Sequence, residues 1–428
     1  MTDTEIQNSL LALFDEAVAA ADPANCVPQH LPPPPKGRTL LIAAGKAAAS
    51  MAHAVEQVWP ADAPLSGIAL TRYGHGMECT RVTVIEAAHP VPDNRGYEAA
   101  LNIMTEVEAL GADDLLLFLA SGGGSSLLAL PAEGLSLEDK KAINKDLLMS
   151  GAPIGEMNTV RKHLSAIKGG RLATAAAPAC VVTLGISDVP FDDPSTIASG
   201  PTVPDTTTLA DANEIIARYG IKPARAIMDR LQNPEAETPK PDHPAFKNAR
   251  FTMVATPGDM LNAVVEAHKS GPLPVVSLGA DIEGEASTIG AQHAALALEH
   301  QKSKGGGLIM SGGETTVTVV SDDAKPAAKP ARGGRNCEYL LALAVALDGA
   351  QGIHAIAADT DGIDGSEDNA GAVIAPDTLE RARGLELDAK AMLAGHDSYS
   401  FFEALGDLVT TGPTRTNVND FRAIWIEN

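Results

Sequence analysis

Cysteine is scarce in this sequence: Cys26, Cys79, Cys180 and Cys337 are spread over 428 residues with no CxxC pair. Such spacing suggests neither a zinc site nor a disulfide framework. Aromatic residues make up 4% against 45% hydrophobic residues overall, so the core must be built mainly from Ala, Leu and Val, as is ordinary for α/β globules. Basic residues are outnumbered, 32 Lys and Arg to 55 Asp and Glu, for a net charge of −23. That balance argues against nucleic acid or an anionic membrane as a partner. An anionic ligand would need local cations to overcome the field. No apolar run approaches the roughly 18 residues of a membrane span, and the opening MTDTEIQNSL has no basic and apolar leader pattern. A cytoplasmic, reducing setting is expected.

The length suggests two domains or three, with boundaries marked by lost periodicity. The stretch to organise the chain around runs from Asp113 to Leu130. Leu115–Ala120 has no polar alternation, which reads as a strand buried on both faces. Gly122, Gly123 and Gly124 follow it, then Ser125 and Ser126 open a short helix. A glycine turn feeding a helix start aims several backbone N–H groups at one spot, which suits a phosphate. Packing alone is the plainer explanation of such a turn.

Other strands are expected at 39–44, 67–70, 82–86 and 179–184, with helices at 4–20, 47–58, 96–110 and 136–150. Alternating strands and helices at this spacing read as a doubly wound parallel sheet, whose ligands bind beyond the carboxyl ends of the strands. Four polar turns fall at such ends: Gly45-Lys46, His89–Asp93, Ser121–Ser126 and Ser187–Pro190. Lys46 follows a strand and precedes a helix, but the Walker spacing fails. A lysine does not complement a helix start, so Lys46 is assigned to a bound anion. Glu156–His163 is read as a dense polar stretch leading into a helix at 164–173; Arg161, Lys162, His163 and Lys168 form a positive patch in an acidic chain. The proline-rich residues 233–244 read as the boundary and as a hinge.

Beyond that boundary a second α/β series is expected, with strands at 251–255, 275–278, 307–311, 315–320, 353–357 and 420–426. Residues 321–334 read as a flexible loop ending on Gly333-Gly334-Arg335-Asn336, from which Arg335 could close over a ligand. Ser311-Gly312-Gly313-Glu314 repeats the strand-to-glycine pattern. Asp359, Asp361 and Asp364 lie within six residues after a strand and could hold Mg²⁺ through one or two carboxylates.

Together the segments GKAAASMA (45–52), HPVPD (89–93), SGGGSSLL (121–128), IGEMNTVRKHLSAIKGGRLA (154–173), ISDVPFDDPSTIASGPTVPD (186–205), SGGE (311–314), GGRN (333–336), DTDGIDG (359–365) and the 411–420 loop resemble the glycerate 2-kinase family. The resemblance spans nearly the whole chain. It implies a Rossmann-like α/β/α domain at 1–240, a mixed α/β MOFRL domain at 241–428, and an active site in the cleft between them. It further implies ATP- and Mg²⁺-dependent phosphorylation of D-glycerate to 2-phosphoglycerate. On that basis Lys46, Asp188 (the base) and Arg335 are the catalytic candidates. Gly122, Gly123, Gly124, Ser125, Ser126, Gly312, Gly313, Glu314 and Asn336 are assigned to nucleotide. Asn158, Arg161, Lys162, Thr414 and Asn417 are assigned to substrate, and Asp359 and Asp361 to metal. Small molecules are the expected partners, and a homodimer is left open. Two positions depart from the family pattern: Cys337 replaces a Gln after GGRN, and Arg415 replaces a Gly in the 411–420 loop. An NAD(P)H-dependent hydroxypyruvate reductase is the main alternative, although no GxGxxG follows a strand. A sugar-phosphate-binding regulator and a kinase for a related hydroxy acid are the others.

Overall fold

The computed structural model describes residues 1–318 and 332–427. It divides into two compact units, Pro23–Val254 and a second formed by Met1–Asp22 with Ala255–Asn428.

The first unit is organised on a six-stranded sheet: β1 (Thr39–Ala44), β2 (Leu65–Arg72), β3 (Val82–Ala87), β4 (Leu115–Ala120), β5 (Cys180–Ile186) and β6 (Ala249–Ala255). Their spatial order is 3-2-1-4-5-6, and β1 to β5 are parallel. Every residue of β1 and β4 is buried, because alternate side chains meet helices on opposite faces. Leu40, Ile42, Leu116 and Phe118 pack with Ala99, Ala100, Ile103 and Val107 of the helix Asn94–Glu108. The chain order reverses direction between β1 and β4, the switch point where such sheets take ligands.

The second unit has strands β7 (Val275–Ser277), β8 (Gly284–Glu285), β9 (Gly307–Ser311), β10 (Thr315–Thr316), β11 (Ile353–Asp359), β12 (Gly371–Ile374), β13 (Leu408–Val409) and β14 (Asp420–Ile426). Six of them form a mixed sheet in the order 13-12-11-14-9-7, and β8 pairs with β10 separately. β14 runs antiparallel to both β9 and β11. The helix Arg335–Leu347 is buried over most of its surface, with Tyr339, Leu340, Leu341 and Leu343 all in the core.

Several expectations need correction. The strand expected to open the second domain, at 251–255, is β6 and completes the first sheet. The stretch 233–244 is therefore neither the point where the units part nor a loose hinge. Arg171 donates to the Ala236 and Glu237 carbonyls, Glu237 meets His163, and Thr238 bonds the buried Asp205. The N-terminal helix Asp3–Ala20, expected within the first domain, belongs to the second unit. Its apolar stripe Ile6, Leu10, Leu13 and Phe14 is buried, and it packs against the helix Pro257–His268 and β11. The helix expected at 164–173 instead spans Ile154–His163 and resumes at Arg171–Ala176. Between them Gly169 and Gly170 adopt φ +58° and +84°, a region other residues enter at a cost, while the Ser165 hydroxyl accepts the Ile167 and Lys168 N–H groups. Residues 319–331, which include most of the expected flexible loop and the end of the expected 315–320 strand, lie outside the described residues.

Candidate active site

The turns after β1 and β4 are bonded to each other. The Lys46 N–H donates to the Gly122 carbonyl at 2.8 Å, and the Ala47 N–H donates to Ser121 Oγ at 3.0 Å. Gly45 has φ +133°, and a Cβ there would lie 2.2 Å from Ser121 Oγ and 2.5 Å from its carbonyl oxygen. Glycine is thus required twice over, by backbone and by space. Gly45→Ala is expected to lower stability by more than about 2 kcal/mol. Gly220→Ala provides the control: φ is +61° there but nothing lies within 4 Å, so about 1 kcal/mol is expected. Urea unfolding of both variants checks the difference, and equal losses would remove the packing argument.

Gly123, at φ +78°, faces His89, whose Nε2 would lie 2.9 Å from an added Cβ. The His89–Asp93 turn therefore joins the other two. Gly124 N–H closes the turn on the Ser121 carbonyl, and Ser126 N–H donates to Gly123. The N–H groups of Gly122, Gly123 and Ser125 have no acceptor among the described residues. Such an array of unsatisfied donors beside a lysine is chemically suited to a phosphate group. Ser125 is held from two sides: its hydroxyl lies 2.7 Å from Ser199 Oγ, and Lys168 Nζ donates to its carbonyl at 2.6 Å. Ala198 and Ser199 take φ of +52° and +61°, a strained backbone that the surrounding bonds maintain. Gly169 and Gly170 N–H groups donate to the Ser199 and Gly200 carbonyls.

The positive patch separates into two parts. Arg161 and Lys168 line a cavity of about 630 Å³ together with Gly123, Ser125, Ser126 and Lys140. Burial, reinforced by the Lys140 and Arg161 charges, pushes the Lys168 ammonium well below the ordinary lysine range. Lys162 instead forms a buried ion pair with Asp205 at 3.3 Å, and His163 bonds the Thr159 carbonyl and Glu237. Neither of the two lines the cavity. Asn158 is buried and accepts from Arg161 at 3.3 Å. Asp188 follows β5, half-buried.

In the second unit Arg335 is the first residue of its helix, rather than part of a mobile loop. All three guanidinium nitrogens face carboxylates: Nη1 lies 3.2 Å from Glu314, Nη2 2.8 Å from Asp359, and Nε 2.9 Å from Asp420. These acids hold the arginine's proton more tightly than usual, despite burial that opposes its charge. Asp420 also accepts from Asn336 Nδ2 and Arg422. Asp364 accepts the Asn336 and Cys337 N–H groups at the helix start, a favourable place for an acid, although burial raises its pKa. Asn336, assigned to nucleotide from sequence, has no exposed surface and ties Asp364 to Asp420. Gly312 presents its carbonyl to Arg422, and Gly313 takes φ +104° where a Cβ would strike Ile282. Thr414 bonds the backbone of Thr360 and Asp361, and Asn417 accepts from Asn419 N–H. Cys337 is fully buried, its thiol pushed well above its ordinary pKa by burial and Asp364. Arg415, in the position of the family's glycine, keeps the left-handed backbone at φ +61°.

Asp359 Oδ1 accepts the Asp361 N–H, and Asp361 Oδ1 accepts that of Ile363. Among the described residues no three His, Cys, Asp or Glu side chains converge as metal ligands. One or two carboxylates remain as donors, a set that fits Mg²⁺, which keeps several waters and takes phosphate oxygens.

A Rossmann-ordered sheet with phosphate-type donors at its switch point, in a chain whose other unit is a carboxylate-rich mixed sheet, defines an α/β enzyme suited to phosphorylated ligands. Family models match "Domain of unknown function (DUF4147)" over residues 9–232 and the MOFRL family over 307–420. A D-glycerate 2-kinase of Thermotoga maritima is 35% identical over 98% of each chain. A glycerate kinase crystal structure from the same organism superposes with a TM-score of 0.87 at 33% identity, covering 99% of this chain and 100% of that one. A protein of Agrobacterium vitis named provisionally as a hydroxypyruvate reductase is 53% identical over 99% of this chain and 95% of its own. The chain belongs to the glycerate 2-kinase family, and its enzyme class is kinase.

Proposed function

We propose that this protein transfers the γ-phosphoryl group of ATP to the 2-hydroxyl of D-glycerate, giving 2-phosphoglycerate and ADP. The observation that carries the reading is the set of unsatisfied N–H groups at the β1–β4 switch point, set beside Lys46. The acceptor is taken from the Thermotoga maritima relative. Phosphoryl transfer depends on positioning and charge neutralisation more than on covalent catalysis. In this reading Gly122–Ser126 hold phosphate oxygens and Lys46 offsets charge on the transferring group. Asp188 accepts the hydroxyl proton. Thr414 and Asn417 contact the acceptor, with Gly312, Gly313 and Glu314 on the nucleotide side. Arg335 acts with its carboxylate partners, while Asn158, Lys162 and Asn336 position their neighbours. Mg²⁺, held by Asp359 and Asp361, would supply neutralising charge to phosphate oxygens. A cytoplasmic setting belongs to the same reading.

Hydroxypyruvate reduction is the second reading, favoured by the name of the Agrobacterium vitis relative and by a strand order shared with dinucleotide-binding sheets. The first βα turn, Gly45-Lys46-Ala47-Ala48, lacks the glycines of a dinucleotide fingerprint. An assay of ATP, Mg²⁺ and D-glycerate coupled to enolase separates the two, because enolase consumes the 2-phosphate and not the 3-isomer. Enolase signal without a mutase is expected. ADP without that signal would mean 3-phosphorylation, and NADH oxidation on hydroxypyruvate with no ADP would establish the reductase.

A further inference from the structure

The cavity of the first unit holds more positive charge than the sequence motifs account for. Lys140, on the helix Leu137–Met149, is 5% exposed and lines it with Arg161 and Lys168. None of the three has an acidic hydrogen-bond partner among the described residues. Arg161 bonds Asn144 and Asn158, Lys168 bonds Ser125, and the Lys140 ammonium has no acceptor. Burial, then the Arg161 charge, pushes Lys140 down to about 8. Lys141, Lys145 and His89 are the other charged or titratable groups along the walls, and no acid stands among them. Two buried ammonium groups and the half-buried Arg161 guanidinium, repelling one another with no acid on the cavity walls, make an arrangement that a bound anion would relieve.

The rim has the opposite character. Pro90, Val91, Pro92, Leu148 and Ile154 line it, and Val91, Leu148 and Ile154 are 62%, 62% and 53% exposed. Exposed branched side chains beside a cationic floor offer an apolar surface to a flat ring.

We propose that this cavity is the nucleotide site: Lys140, Arg161 and Lys168 bind the polyphosphate, and the Pro90–Pro92, Leu148 and Ile154 rim receives the base. The inference rests on the kinase reading and adds residues and a binding orientation to it. Glycerate, with one carboxylate and three carbons, matches neither the charge nor the about 630 Å³ of space. A nucleoside triphosphate matches both. Arg161, assigned to substrate from sequence, moves to the nucleotide.

The test is titration of the full-length protein with a fluorescent ATP analogue, displaced by unlabelled ATP. Lys140→Met and Arg161→Met are each expected to weaken ATP binding roughly 10–100-fold, the worth of a charged hydrogen bond. Their KM for D-glycerate should stay within about 2-fold, a much smaller change than that charged contact. Leu148→Glu, on the exposed rim, introduces an acid without disturbing the core and should weaken ATP as well. Lys140→Met should melt no lower than the parent, since it removes an ammonium that has no acid partner. ATP affinity unchanged in all three variants would overturn the proposal. A raised glycerate KM with normal ATP binding would assign the cavity to the acceptor instead. A parent protein that binds no nucleotide would break the kinase reading itself, a separate and distinguishable result.

Discussion

Lys46→Ala is expected to lower turnover by about 10²–10³-fold, the usual cost of deleting one charge-stabilising donor from a transition state. Its melting temperature should stay close to that of the parent. The backbone at this position is fixed independently of the side chain: its N–H donates to Gly122, and its carbonyl accepts from Thr71 Oγ1 at 3.3 Å. The side chain runs past Gly123, its Cγ 3.5 Å from the point where a Cβ would stand. A cation delivered there acts on whatever occupies the glycine turn. If its charge is needed only as the phosphoryl group moves, turnover falls and the KM for D-glycerate changes little. Steady-state kinetics of the enolase-coupled reaction reads both. Near-parental turnover would remove Lys46 from the mechanism, and a large fall in melting temperature would make it structural.

That side chain could be picked out from sequence because it breaks a local rule, a lysine at a helix start. The glycine turn was legible for the same kind of reason, since three glycines after a buried strand demand special backbone. The parallel sheet followed from uninterrupted apolar runs separated by helices. Sequence did not reveal which cations share a space. Arg161 and Lys162 are neighbours in the chain, yet one faces the cavity and the other meets Asp205. Lys140 lies among exposed polar residues on its helix, and nothing local marks it as buried. Its environment arises from Arg161 and Lys168, residues some twenty or more positions away. The domain division was misplaced because composition reports local irregularity, whereas membership in a unit depends on distant partners. The proline-rich 233–244 stretch is irregular but fastened, and β6 looks like the start of a new series until its pairing is seen. Likewise Asp420 and Arg422 read only as strand residues, though both are fully buried ionic partners in the second unit.

Arg335→Ala should produce the largest change in stability. Its guanidinium joins Glu314, Asp359 and Asp420, acids contributed by the turn after β9, the end of β11 and the start of β14. The Asp420 side chain is fully buried and that of Asp359 only 3% exposed. Removing the arginine leaves these carboxylates close together, with Arg422 the remaining guanidinium bonded to Asp420. Breaking a buried pair from one side typically costs about 3–5 kcal/mol. A fall of roughly 10 °C in the melting of this unit follows at usual entropies of unfolding. Arg335→Lys should recover only part of that loss, because one ammonium cannot reproduce a planar fork reaching three acids. Calorimetry of the two variants, with turnover measured below their transitions, separates structure from chemistry. If Arg335→Ala melts with the parent but loses turnover, the arginine is held by its acids for use on a ligand. If stability falls while the enzyme that remains folded turns over normally, it is a structural hub and leaves the catalytic set. Loss of both is the expected result, since Asp359, one of the two acids proposed to hold Mg²⁺, is a carboxylate this arginine keeps in place.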